Sequence, residues 1–151
     1  MSVIQKAISF AAKAHKNQYR KSTDIPYITH PFAVGMLLQE AKCTDAVVAA
    51  GILHDTIEEL TEHFGVQIAN LVRVASEHDK SLPWSQRKQH TIDMLKDANL
   101  EEIKVITADK LHNLTTIKVD LEAPFCIAFQ KKMKWTDQDL YNQFKRNESF
   151  L

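Results

Sequence analysis

Apolar residues recur at helical spacing along most of the chain. Ile4, Ala7, Ile8, Ala11 and Ala12 form one stripe, and Ser2 with Gln5 has the form of a capping box ahead of it. This predicts a first helix to about residue 17. The stretch "QYRKSTDIPYIT" at 18–29 is polar, and Pro26 breaks it. Pro31 suits the first turn of a second helix over about 31–41. Thr44 is placed to cap a third, running through "DAVVAAGILHDTIEE". Gly65 separates a short turn from a helix near 66–77. Pro83 and Trp84 open one over about 84–96, and "IKVITADKLHNLTTI" lies in a long one near 100–119. Pro124 and Thr136 mark the starts of two more. There are only three glycines and four prolines, and no Asn-Gly or Asp-Gly hairpin signal. The expected fold is all-α, a bundle of about eight helices with a central site.

Composition narrows the function. At 151 residues, with 44% hydrophobic and 25% charged positions, the chain suits one soluble domain spanning 1–151. Lys plus Arg and Asp plus Glu both total 19, so no basic footprint points to a nucleic-acid partner. No apolar run has the length of a membrane span and the N-terminus lacks a cleavable signal pattern, so a cytoplasmic protein without a membrane partner is expected. Cys43 and Cys126 stand in apolar helical contexts and read as thiols, not as a disulfide framework. Oligomeric state stays open.

The chemistry concentrates in "AAGILHDTIEEL" at 49–60. His54 and Asp55 are adjacent, about 100° apart on a helix, and both can flank one point. Glu58 and Glu59 follow four residues after each. A buried His-Asp pair has to be hydrogen-bonded, ion-paired or metal-bound, and both side chains ligate divalent first-row metals. His30 ends the polar loop. Asp109 stands in the apolar run "VITADKLHNL", where a lone carboxylate is costly. His30, His54, Asp55 and Asp109 together offer two nitrogens and at least two oxygens. Each also has a structural reading: His30 as a cap, His54–Asp55 as a helix-end polar pair, Asp109 as a partner for a lysine.

The order H…HD…D on a helical chain resembles the HD-domain metal-dependent phosphohydrolases. The likeness extends to the RelA/SpoT-type hydrolase domain. "AHKNQYRKSTDIPYITHPFAV" is similar to its opening, "AAGILHDTIEE" to its HDxxED helix, "HFGVQIANLV" to its Phe-Gly helix and "IKVITADKLHNLTTI" to its Ala-Asp-Lys/Arg-Leu-His/Tyr-Asn segment, over roughly residues 7–117. With no synthetase domain attached, the resemblance implies a small alarmone hydrolase. Such an enzyme removes the 3′-pyrophosphate of ppGpp or pppGpp with one manganese ion; iron or another divalent metal also suits the ligands. It implies His30, His54, Asp55 and Asp109 as metal ligands and Glu58 and Glu59 as the catalytic acidic pair. Arg20, Lys21, Ser22, Asn113 and Thr116 are then nucleotide contacts. Asn113, four residues after Asp109, shares its helix face. Three departures from the family stand out. Glu59 replaces an aspartate, only Leu60, Thr61 and Glu62 connect "HDTIEE" to "HFG", and Thr115 replaces a frequent arginine. A phosphohydrolase of another nucleotide, or a metal- and nucleotide-binding module without turnover, are the alternatives.

Overall fold

The computed structural model describes residues 1–20, 23–56, 60–76 and 81–122. They form six helices: α1 Val3–Ala14, α2 Thr29–Glu40, α3 Asp45–Leu53, α4 Leu60–Ala75, α5 Trp84–Asp97 and α6 Leu100–Glu122. Among the described residues there is no strand, only an isolated antiparallel bridge between Tyr19 and Pro26. The fold is all-helical, as the periodicity requires. The count of about eight differs from six because the helices expected at Pro124 and Thr136 lie outside the described residues. So does Cys126, while Cys43 is a free, half-buried thiol.

Local chemistry sets most of the helix ends. The Ser2 hydroxyl accepts from the Gln5 N–H at 3.3 Å, and the Gln5 side chain accepts from the Ser2 N–H at 3.0 Å. α1 stops at Ala14, short of 17, and Asn17 turns the chain out with φ 63°. Thr44 caps α3 through the Val47 N–H. Asn99 caps α6 by accepting from the N–H groups of Glu101 and Glu102. Gly65, at φ 79°, breaks α4 into two helical pieces.

α3 is the central element. Every residue from Val47 to Leu53 is buried, and the helix packs against α1, α2, α4 and α6. A helix apolar on all faces belongs in the middle of a bundle. Its end corrects the sequence reading, which ran the helix on through Glu59. The Leu53 carbonyl is taken by both the backbone N–H and the hydroxyl of Thr56, at 2.9 and 2.7 Å. The Ser76 hydroxyl takes the His54 carbonyl at 2.6 Å. The chain therefore turns at His54 and Asp55 instead of continuing.

Two glycines let α2 and α3 cross closely. A Cβ added to Gly35 would lie 2.5 Å from Ile52 Cγ1, and one added to Gly51 would collide with Leu38 Cδ1. This approach brings the start of α2 beside the end of α3. Gly35→Ala is expected to destabilise the fold. Overpacking against the buried, β-branched Ile52 costs about 1–3 kcal/mol, against about 1 kcal/mol gained in helix propensity. Urea denaturation checks this: the midpoint should fall, and an unchanged or raised midpoint contradicts the close crossing.

Candidate metal centre

Four ionisable side chains meet where three helices approach. His30 lies in the first turn of α2, His54 caps the C-terminus of α3, Asp55 follows in the turn, and Asp109 projects from the middle of α6. His30 Nε2 is 3.2 Å from His54 Nε2, 3.1 Å from Asp109 Oδ1 and 3.8 Å from Asp55 Oδ2. His54 Nε2 is 3.2 Å from Asp55 Oδ2 and 3.5 Å from Asp109 Oδ1. His30, His54 and Asp109 are buried, whereas the Asp55 side chain is 35% exposed and marks the open side. His54 and Asp55 are brought together by the turn that ends α3, not by neighbouring positions on a continuing helix.

The donor set fits a divalent cation. Atoms about 2.1 Å from a common ion stand about 3.0 Å apart in octahedral and about 3.4 Å apart in tetrahedral arrangement. The two imidazole nitrogens stand 3.1 to 3.8 Å from each other and from the carboxylate oxygens, and His30, His54 and Asp109 offer ligand atoms all within 4.8 Å of one another. Each donor is also oriented from behind. His54 Nδ1 donates to the Gly51 carbonyl at 2.7 Å, which leaves its Nε2 facing the cluster. Tyr27 donates its hydroxyl to Asp55 Oδ2. Asn113 Nδ2 donates to Asp109 Oδ1 at 2.7 Å, and Lys110 Nζ to Asp109 Oδ2 at 2.6 Å. His30 Nδ1 lies 2.7 Å from His112 Nδ1.

The electrostatics follow from this packing. Burial pushes the Asp109 carboxyl up, but hydrogen bonds from His30 and His54, with the Lys110 charge, outweigh it and hold the group well below the usual carboxylate range. Burial is likewise outweighed at Asp55 by hydrogen bonds from His54 and Tyr27, and its carboxyl is lowered. Burial pushes His54 down, but its hydrogen bonds to Asp109 and Asp55 prevail and raise it to about 10. Burial and the Asp55 carboxylate push the Tyr27 phenol well above its ordinary value. Two carboxylates among two imidazoles thus favour positive charge at their centre.

Of the expected nucleotide contacts, Arg20 and Thr116 meet directly, with Arg20 Nη2 donating to Thr116 Oγ1 at 2.9 Å. Asn113 lies against Asp109. Lys21, Ser22, Glu58 and Glu59 lie outside the described residues. Sequence reasoning missed Tyr27 and His112 as partners of the cluster, whereas the lysine partner it offered Asp109 is present as Lys110. His112 carried a signal, being three residues beyond Asp109 on the same helix face. Tyr27, three residues before His30 in a turn, carried none in its spacing.

The HD domain family matches residues 7–148. The guanosine-3′,5′-bis(diphosphate) 3′-pyrophosphohydrolase MESH1 of Xenopus tropicalis is 38% identical over 127 residues, 78% of this chain and 70% of that protein. The Homo sapiens MESH1 is 40% identical over 118 residues, 72% of this chain and 65% of that one. A GTP pyrophosphokinase of Myxococcus xanthus is 36% identical over 132 residues, but the chain spans only 17% of its length. The solved structure of a metazoan ortholog of SpoT that hydrolyses ppGpp superposes with a TM-score of 0.71 at 31% identity, covering 79% of this chain and 72% of that one. The chain belongs to the HD-domain family and is a metal-dependent phosphohydrolase. Among the described residues no helix is long and apolar enough to cross a membrane.

A cation entering this cluster displaces the proton on His54, because imidazole ligates only when neutral. Manganese binding at about pH 7.5 should release about one proton, and affinity should rise with pH. Calorimetry in two buffers of different ionisation enthalpy measures this; a buffer-independent heat contradicts it. The same raised group acts on the fold without added metal. Its contribution to stability is fully present below the ordinary histidine value of 6.5 and is lost as pH rises through about 10.

Proposed function

We propose that the chain hydrolyses guanosine alarmones, converting ppGpp or pppGpp to GDP or GTP and pyrophosphate. One manganese ion is held by His30, His54, Asp55 and Asp109 at the centre of a single domain spanning 1–151. The observation that supports this reading best is the convergence of His30, His54 and Asp109 from α2, the end of α3 and α6, with ligand atoms all within 4.8 Å of one another, and with Asp55 Oδ2 at 3.2 and 3.8 Å from the two imidazoles. The names of the relatives supply the substrate class. Iron or another divalent ion meets the same ligand chemistry. A cytoplasmic location accords with this substrate.

When bound, the cation supplies Lewis acidity toward a water and toward the attacked phosphoryl oxygens. The chain supplies the rest. Tyr27 holds the Asp55 carboxylate and Asn113 holds Asp109, so neither is free to swing. Arg20, fixed at the site's edge by Thr116, offers a guanidinium to a polyphosphate or a purine face. Lys21 and Ser22 follow it in sequence and offer further polar contacts to the nucleotide. Glu58, with Glu59 beside it, takes a proton from the attacking water. The new bond joins water oxygen to the phosphorus nearest the ribose. The bond to the ribose 3′ oxygen breaks, that oxygen gains a proton, and pyrophosphate leaves.

Purified protein with manganese and ppGpp, analysed by chromatography, should yield GDP and pyrophosphate. Glu59 in place of aspartate and the short 60–62 connection favour a second reading, a binding module. Bound ppGpp with no pyrophosphate after hours would establish that reading and end the enzyme proposal. Release from a different nucleotide alone would shift the substrate.

Two substitutions separate the roles. Asp55→Asn should lose metal and turnover together, since an amide oxygen is a poor ligand. Glu58→Gln should lower turnover by about 10²- to 10⁴-fold with nucleotide affinity nearly unchanged. Native turnover in Glu58→Gln with manganese bound would remove Glu58 from the mechanism.

A further inference from the structure

We propose that His112 is a positioning residue that selects the tautomer in which His30 presents its Nε2 lone pair to a divalent cation. This rests on the metal reading above and adds a residue to which sequence reasoning gave no role. His30 Nε2 is the nitrogen that faces the cluster, 3.1 Å from Asp109 Oδ1 and 3.2 Å from His54 Nε2. Its other nitrogen, Nδ1, lies 2.7 Å from Nδ1 of His112, with ring centroids 4.9 Å apart.

Between two ring nitrogens this close there is room for one hydrogen. With none, two lone pairs oppose each other; with two, the N–H groups collide. The shared hydrogen therefore fixes both rings at once. If it belongs to His30, Nδ1 is the donor, Nε2 is a lone pair, and the ring can ligate. If it belongs to His112, then neutral His30 carries its hydrogen on Nε2. That hydrogen points at the Asp109 oxygen, as in the metal-free hydrogen bond between the two side chains, and has to leave Nε2 before a cation can bind there. Ligation by His30 thus requires His112 to accept through Nδ1 and to carry its own hydrogen on Nε2.

An imidazole acceptor differs from the carboxylate that often backs a ligating histidine. It orients the ring without adding negative charge to a site that already holds two aspartates. His112 also stands on α6, three residues from Asp109. One helix therefore provides a ligand and the support of a second ligand from α2.

The test is competition for manganese between a chromophoric chelator and the native, His112→Phe and His112→Asn proteins. Phenylalanine keeps a ring of similar size but removes the acceptor, and manganese affinity should fall by about 10- to 100-fold. In His112→Asn the amide places an oxygen near the lost Nδ1 and should restore most of the affinity. Native affinity in His112→Phe overturns the proposal, as does an equal loss in both variants. A native protein that binds no manganese overturns the metal reading itself. A measurement on the native protein needs no variant. With diamagnetic zinc bound, nitrogen-15 shifts should show His112 protonated at Nε2 and bare at Nδ1. A proton on His112 Nδ1 would overturn the assignment.

Discussion

Burying two imidazoles and a carboxylate at one point is the constraint around which this bundle is arranged. Such groups cost several kcal/mol each if taken from water without partners. Here they are placed against one another and backed by the Gly51 carbonyl, His112, Asn113 and Lys110. The surrounding fold supplies what that arrangement needs. α3 is apolar on every face, so it runs through the core and delivers His54 at its end. Gly35 and Gly51 bring α2 close enough for His30 to reach it. α6 lies across both, with Val105 and Ala108 in the core beside Asp109.

The loop between α1 and α2 links this centre to its open side. Arg20 N–H donates to the Ile25 carbonyl and Tyr27 N–H to the Gln18 carbonyl, each at 2.8 Å. These bonds fold the loop back on itself, so Arg20 reaches Thr116 while Tyr27 reaches Asp55. The Tyr27 ring lies between those of His15 and His30, at centroid distances of 5.0 and 5.8 Å. His15 is held in turn by the Gln18 side chain at 3.0 Å. A short polar loop thus ties one side chain to α6 and another to a carboxylate of the cluster.

The helical scaffold was legible because its signals are local. The Ser2–Gln5 box, the Thr44 cap, Pro31 in a first turn and the break at Gly65 are read from side-chain type and short spacing. The true end of α3 was not legible. "HDTIEE" contains no glycine or proline, and the stop comes from Thr56 and the distant Ser76 taking carbonyls that a helix would use. At the site, Asp109 could be singled out because a carboxylate in an apolar helix face conflicts with burial. Tyr27 and His112 are compatible with their surroundings in sequence. Spacing puts His112 on the face of Asp109, but the contacts of Tyr27 with Asp55 and of His112 with His30 join elements far apart in the chain, so only the fold reveals them.

The central claim is that His30, His54, Asp55 and Asp109 hold one divalent cation together. Anomalous diffraction from crystals grown with manganese tests it most directly. The account requires a single manganese peak within about 2.0–2.3 Å of His30 Nε2, His54 Nε2, Asp55 Oδ2 and Asp109 Oδ1. A manganese peak elsewhere, or one reached by only two of these atoms, would contradict it.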